Sequence, residues 1–252
     1  QSIQKSHNIT SVFLIVVIMA NRHFVSILTQ PDDSSCGPTS LHAVYRHWGL
    51  GLSLDEVVRS VNYLPQGGTL AVMLGMDALQ RGMKTRIYSY NLKMFDPSWE
   101  NLANRELIDC LEQQLRYKNG KKFIQATRAY QQYLEMGGEI VFEDLQRNIF
   151  ERYLLNGIPI LTGLSATYLY SSKREYTDHR DRCIYHDMRG EPAGHFVVLS
   201  GMEGDHVLIA DPYKENPISG ENYYQVNINR LINSIMLGIV TYDANMLIVL
   251  KE

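Results

Sequence analysis

The hydrophobic period of this 252-residue chain changes near Gly157, from helical upstream to strand-like downstream, and that change constrains the fold more than any other feature. Upstream, apolar residues recur every three or four positions: Leu41, Val44, Tyr45 and Trp48; Val57, Val58 and Val61; Leu107, Ile108, Leu111 and Leu115; then Leu145, Ile149, Phe150, Tyr153 and Leu154. Ser53 and Glu56 read as a capping box opening the second of these helices, Thr69 to Arg81 as a further helical stretch closed by Gly82, and Gly157 as the stop of the last. Thr85 to Tyr90 adds a strand within this half. Downstream, short apolar runs bounded by turn residues predict strands at Ile158 to Leu164, His195 to Gly201, His206 to Ala210, Tyr223 to Ile228 and Thr241 to Leu250, with a short helix near 229–237. The expectation is an α+β fold in one domain, an N-terminal helical part packed on a C-terminal antiparallel sheet. No repeat, linker or low-complexity tract interrupts it.

A thiol stands at the mouth of the first helix. In QPDDSSCGPTSL, Gly37 and Pro38 punctuate the loop just as helical spacing begins, which places Cys36 at a helix N-terminus. Unpaired N–H groups and the positive end of the helix dipole stabilise a thiolate in such a position. Gln30, six residues upstream, can add a side-chain amide to the Cys36 N–H as an oxyanion hole. Such a sulfur needs a base, and GHFVVLSGMEGDHVLIADPY (Gly194 to Tyr213) supplies one: it scans as two strands around a turn at Glu203, Gly204 and Asp205. Folding there sets His195 opposite or diagonal to Asp211, with Cβ atoms about 4.5–8 Å apart, within reach of an imidazole–carboxylate hydrogen bond. Asp211 then orients His195, and His195 serves Cys36 as in acyl-transfer triads.

Composition narrows the partners. Net charge is −3, and no block of Lys or Arg advertises nucleic acid or an acidic membrane surface. The three cysteines, Cys36, Cys110 and Cys183, are too few and too odd for a disulfide framework and fit a reducing compartment. Val12 to Ala20 is an apolar run too short to span a bilayer. It reads either as the core of a signal or as a segment upstream of a start at Met19, with a strand following through Leu28. Residues 1–18 are set aside as an N-terminal extension, leaving 19–252 as the domain. The expected location is cytoplasmic, with export the alternative if residues 1–20 act as a signal.

The QPDDSSCGPTSL, GHFVVLSG and ADPY segments resemble the signature stretches of the double-glycine leader peptidases, the bacteriocin-processing branch of the papain-like thiol peptidases. By that resemblance Gln30 is the oxyanion-hole glutamine, Cys36 the nucleophile, His195 the base and Asp211 its orienting acid, on a papain-like fold with the site in a cleft between helix and sheet. The likeness is strong over 30–90 and 157–213 and weak between, where 91–156 reads as a helical insert. Members of that family commonly sit on an exporter with a membrane domain and an ATPase. This chain has neither an adequate apolar span nor a GxxxxGK[ST] phosphate loop, so the expectation is a stand-alone form. The implied activity is a cysteine peptidase that hydrolyses a peptide or isopeptide bond of a peptide or protein substrate through a thioester, with no metal or organic cofactor. A thiol-dependent acyltransferase or deamidase is one alternative, and a non-catalytic peptide-binding module another.

Other candidates receive plainer readings. His42 and His47 lie on the Cys36 helix and read as packed or surface residues. His179, Cys183 and His186 have spacings compatible with zinc, but a closed site wants four convergent ligands, and the polar stretch around them reads as part of a long loop, 165–193, covering a substrate groove. Gly67 and Gly68 read as a turn rather than an anion cradle, and Cys110 as core. Asp32 and Asp33 would oppose a thiolate if close, or read a basic substrate side chain.

Overall fold

The apolar runs beyond Gly157 join Lys84–Ser89 in one seven-stranded sheet in the computed structural model, which describes residues 25–65, 67–179 and 183–251. In chain order the elements are α1 (Cys36–His47), α2 (Leu54–Ser60), α3 (Ala71–Gln80), β1 (Lys84–Ser89), α4 (Asn104–Gln114), α5 (Lys121–Glu135), β2 (Glu139–Val141) and α6 (Arg147–Leu154). The second half contains β3 (Ile160–Ser165), α7 (Ala166–Tyr170), β4 (Glu175–Thr177), β5 (Cys183–Tyr185), β6 (Gly194–Glu203), β7 (His206–Ala210), β8 (Tyr223–Asn227), α8 (Ile228–Leu237) and β9 (Asn245–Leu250). The sheet order is β2-β1-β9-β3-β6-β7-β8, antiparallel throughout except for the β1–β2 pair. Strands β4 and β5 form a separate hairpin.

Both faces of the sheet are covered, which is why its central strands read as continuous apolar runs rather than alternating ones. Along β6, Phe196 and Val198 join the core shared with α1, α3 and α5, while Val197 and Leu199 join a second core beneath α6, α7 and α8. Helix α1 buries Leu41, Ala43, Val44 and Tyr45 against the first core, each of the larger side chains contributing about 1.5–3 kcal/mol. Helix α2 opens on the expected capping box: Ser53 Oγ accepts from Glu56 N at 3.3 Å and Ser53 N donates to Glu56 Oε2 at 2.7 Å.

Several expectations need correction. The strand expected from Met19 to Leu28 falls outside the described residues as far as position 24, and residues 25–28 run without strand pairing, held instead by bonds such as Ile27 N to Tyr223 Oη at 3.0 Å. The strand expected from Thr241 begins at Asn245, because Gly238–Thr241 forms a 3-10 turn that ends with Tyr242 in the left-handed region, φ 74°. The segment 165–193 carries α7 and the β4–β5 hairpin instead of being a bare loop. Cys110 is only half-buried, since Leu107 and Leu111 form the buried face of α4 and leave it on the flank. Helix α5 falls within the stretch read as a helical insert but was not delimited there, its buried face mixing Ala126, Ala129, Tyr130 and Tyr133 with Phe123 and Leu134, and the three-residue β2 was not foreseen.

Candidate active site

Cys36 is the first residue of α1, so its N–H lies among the first-turn donors that have no intrahelical acceptor, and no acidic residue occupies that turn. Gly37 has no room for a side chain: a Cβ there would sit 2.3 Å from Thr69 Cγ2 and 3.3 Å from Phe196 Cδ2. The helix is therefore pressed against β6, and Ser40 Oγ donates to the Phe196 carbonyl at 3.2 Å. This contact fixes the sulfur-bearing turn beside the residue that follows His195.

His195 pairs with Leu164 of β3, and Leu164 belongs to the second core, so the imidazole shares the face of Val197 and Leu199. The β6–β7 hairpin turns at Gly204 and Asp205, and its lower half pairs Gly201 with Leu208. Above that point the register slips by one, pairing Leu199 with Ile209 and Val198 with Ala210, and Ser200 is left over as a bulge. Continuing the upper register sets Asp211 opposite Val197 and diagonal to His195 on the same face. His195 Nε2 donates to Asp211 Oδ1 at 2.8 Å.

Asp211 is fully buried, and four donors satisfy it. Oδ1 accepts from His195 and from Tyr213 N at 2.8 Å; Oδ2 accepts from Tyr170 Oη at 2.7 Å and Tyr224 Oη at 2.6 Å. Burial works against its charge, but the imidazolium and these hydrogen bonds outweigh it and hold the carboxyl below the usual carboxylate range. Burial likewise disfavours a charged His195. The Asp211 carboxylate and the neighbouring Cys36 side chain overcome that penalty and push the imidazole up to about 10. With Nε2 committed to Asp211, Nδ1 is the ring nitrogen left for the sulfur.

Gln30 reaches the same cleft by a backbone tether, its N–H donating to Pro212 O at 2.9 Å next to Asp211. Its side-chain amide donates one proton to Asp32 O at 2.9 Å, leaving the second for a ligand, and its Oε1 is buried without a partner among the described residues. The Asp32 carboxylate is occupied within its own turn by Ser34 N at 2.8 Å and Ser34 Oγ at 2.7 Å, whereas Asp33 lines the cleft.

Two recesses flank Cys36 and His195. The first, about 190 Å³, is lined by both residues together with Gly67, Gly68, Lys122 and Asp243. The second, about 450 Å³, lies on the Gln30 side and is walled by Tyr176, Tyr185, Glu191 and Tyr213, so the 165–193 segment does border the groove. A larger recess of about 670 Å³, lined by Tyr90, Phe95, Phe142 and Met236, touches neither Cys36 nor His195. The tyrosines on Asp211 were not anticipated. Tyr224 was signalled by strand alternation, since it pairs with Ile209 and is diagonal to Asp211, but Tyr170 had no marker. Lys122 and Asp243 were also missed.

The remaining candidates fall outside this constellation. His42 Nε2 contacts Leu52 O at 3.1 Å and His47 Nε2 contacts Gly157 O at 2.9 Å, both packing roles. Cys183 donates to Glu175 Oε2 at 3.1 Å, and His186 Nδ1 accepts from Met188 N and Arg189 N, which folds the ring into its own turn. Gly67 and Gly68 form a turn, with Gly67 N on Leu64 O and Leu64 N on Gly68 O, each at 2.9 Å. Among the described residues no helix is long and apolar enough to cross a membrane.

Among solved structures, this chain is similar to one described as a C39-like peptidase from Bacillus anthracis, at 13% identity over 91% of this chain and 96% of that one, TM-score 0.46. It is similar to a double glycine motif protease from an AMS/PCAT transporter, solved in complex with the leader peptide, at 14% identity over 92% and 94%, TM-score 0.43. It is also similar to the peptidase domain of Streptococcus ComA, a bifunctional ABC transporter in a quorum sensing pathway, at 14% identity over 91% and 100%, TM-score 0.41. Among curated proteins nothing matches. The family model that does match spans residues 23–234 and takes in Gln30, Cys36, His195 and Asp211: the chain belongs to the Peptidase_C39 like family, a family of peptidases.

Proposed function

We propose that this peptidase is of the cysteine type, with Cys36 as nucleophile, His195 as its acid–base partner, Asp211 as the group that orients His195, and Gln30 with the Cys36 N–H as the oxyanion hole. The observation that carries this reading is one juxtaposition: Cys36 and His195 line the same recess, and Nε2 of His195 is held by the buried carboxylate of Asp211. His195 takes the thiol proton and retains it, because Asp211 favours the imidazolium. The sulfur then attacks the carbonyl carbon of a peptide or isopeptide bond. The developing oxyanion accepts from the Cys36 N–H and from the Gln30 amide proton not used by Asp32. His195 protonates the departing amine, which leaves a thioester, and a water activated by the now neutral imidazole releases the acid and restores the thiol.

Labelling and turnover test this directly. Burial pushes the Cys110 thiol up, and burial with the Glu175 carboxylate pushes Cys183 up to about 12, so neither competes well for an alkylating agent. Iodoacetamide should modify Cys36 first, and Cys36→Ala should lower peptide hydrolysis by roughly 10³-fold or more. Even labelling of the three thiols together with unchanged hydrolysis in Cys36→Ala would overturn the assignment. Mass spectrometry of products with and without an added amine separates hydrolysis from acyl transfer.

A further inference from the structure

Asp243 is a buried carboxylate that the steps above do not use, and three separate elements make space for it. A Cβ on Gly194, the residue before His195, would sit 2.0 Å from Asp243 Oδ2; one on Gly163 would sit 2.6 Å from Asp243 O, and one on Gly238 2.9 Å from its carbonyl carbon. The turn that delivers it keeps Tyr242 at φ 74°, a conformation that costs a bulky residue free energy. Across the recess, helix α5 supplies Lys122. Its Nζ donates to Thr241 O at 3.0 Å and lies 4.9 Å from the centre of the Tyr242 ring. Lys122 acts on Asp243 through its field, while the Thr241 hydroxyl donates to Gly238 O at 3.2 Å. Cation and carboxylate thus line one small recess without neutralising each other by direct contact, and Cys36 and His195 line it as well.

From this juxtaposition we infer that the recess beside Cys36 is a specificity subsite, resting on the peptidase reading, that selects a carboxamide side chain, Asn or Gln, on a substrate residue at or next to the scissile bond. The chemistry of the floor decides it. Above neutral pH, where Asp243 is ionised, an acidic side chain meets Asp243 and Asp33, a basic one meets Lys122, and an apolar one strips water from these charges and returns no hydrogen bond. A carboxamide has what each lacks, a carbonyl oxygen for the remaining Lys122 protons and an NH₂ for the Asp243 carboxylate. The volume, about 190 Å³, suits one such side chain.

Two measurements test it. In the first, Cys36→Ala protein, which cannot turn over, is titrated with fluorescent peptides differing only in Gln, Glu, Lys or Leu at each position around the cleavage point. The Gln peptide should bind at least about tenfold more tightly at one position, a margin ordinary for a site built to hydrogen-bond its ligand. Equal affinities overturn the inference whether or not the wild type cleaves anything, and amide-selective binding without wild-type cleavage would overturn the peptidase reading instead. In the second, cleavage of the same set is compared in wild type, Lys122→Met and Asp243→Asn. Lys122→Met should move the preference toward Lys and Asp243→Asn toward Glu, and an unmoved preference in Lys122→Met overturns the subsite even if Asp243→Asn does not fold.

Discussion

His195 and Asp211 share a face because Ser200 is left out of the ladder between them. Below the bulge Gly201 pairs with Leu208, and that register, continued upward, would set Asp211 opposite Val198, whose side chain points into the other core. One extra residue changes the partner to Val197 and turns the carboxylate toward the imidazole, since strand side chains alternate with a period of two.

Deleting Ser200 should therefore leave the pair together, since Leu199–Ile209 and Gly201–Leu208 become consecutive rungs and Val197 stays opposite Asp211. Hydrolysis should stay within about tenfold of wild type in the deletion and within about twofold in Ser200→Ala, which keeps the bulge. Steady-state kinetics with the iodoacetamide rate at Cys36 checks both. A deletion variant that folds but loses hydrolysis by about 10³-fold, the scale on which a triad member is lost, would show that the bulge shapes the site beyond setting the register.

Tyr170 and Tyr224 carry the second oxygen of Asp211. Replacing either with Phe removes one hydrogen bond to a buried charge and should cost about 1.5–3 kcal/mol of stability. Turnover should fall only a few-fold, because Oδ1, the oxygen that holds His195, keeps its donors. The pH dependence follows from the sign of the shift: Asp211 is depressed in the folded protein, so its contribution is present above the ordinary carboxylate range and is lost as pH falls through the folded value. Each Phe variant raises that folded value, so its acid unfolding should begin at higher pH than wild type, as circular dichroism melts can show.

The hairpin that carries His195 and Asp211 was legible because its strands are nearly pure apolar runs joined at Gly204 and Asp205, and Cys36 because Gly-Pro precedes a clear helical period. The diagonal placement was legible too, but not its cause. Gly201 inside a strand is a known mark of a bulge, and it lies beside the residue that drops out. Asp243 was hidden for a different reason. Thr241 to Leu250 is apolar enough to read as one strand, and nothing in a tyrosine announces a left-handed turn at 242. Tyr170 reaches Asp211 from α7 through tertiary packing alone, across 41 positions of sequence.

Asp243 should behave in the opposite sense to Asp211. Burial raises its carboxyl to about 7, against the partial relief from Thr241 and Lys122. The unfolded chain therefore loses this proton first, and wild-type stability should decline as pH rises from about 4 to about 7 and then level off. Asp243→Asn keeps the shape and removes the ionisation. Its stability relative to wild type should improve across that window, by roughly 4 kcal/mol at most. Melting both proteins from pH 4 to pH 8 checks this, and a difference independent of pH would mean that Asp243 is ionised throughout.

Gln30 offers the sharpest test of the oxyanion hole, since its main chain and side chain do separate jobs. The backbone N–H on Pro212 O ties the loop to the Asp211 end of β7 and survives substitution, so Gln30→Ala should cost less than about 1 kcal/mol of stability. Removing the amide should nonetheless lower kcat by about 10²–10³-fold with KM little changed, because an oxyanion donor acts on charge that develops only in the transition state. Asp32 O already holds one amide proton at 2.9 Å, and that contact orients the second rather than competing with it. If kcat falls less than about fivefold, the amide stays with the loop during catalysis and the Cys36 N–H carries the oxyanion without it.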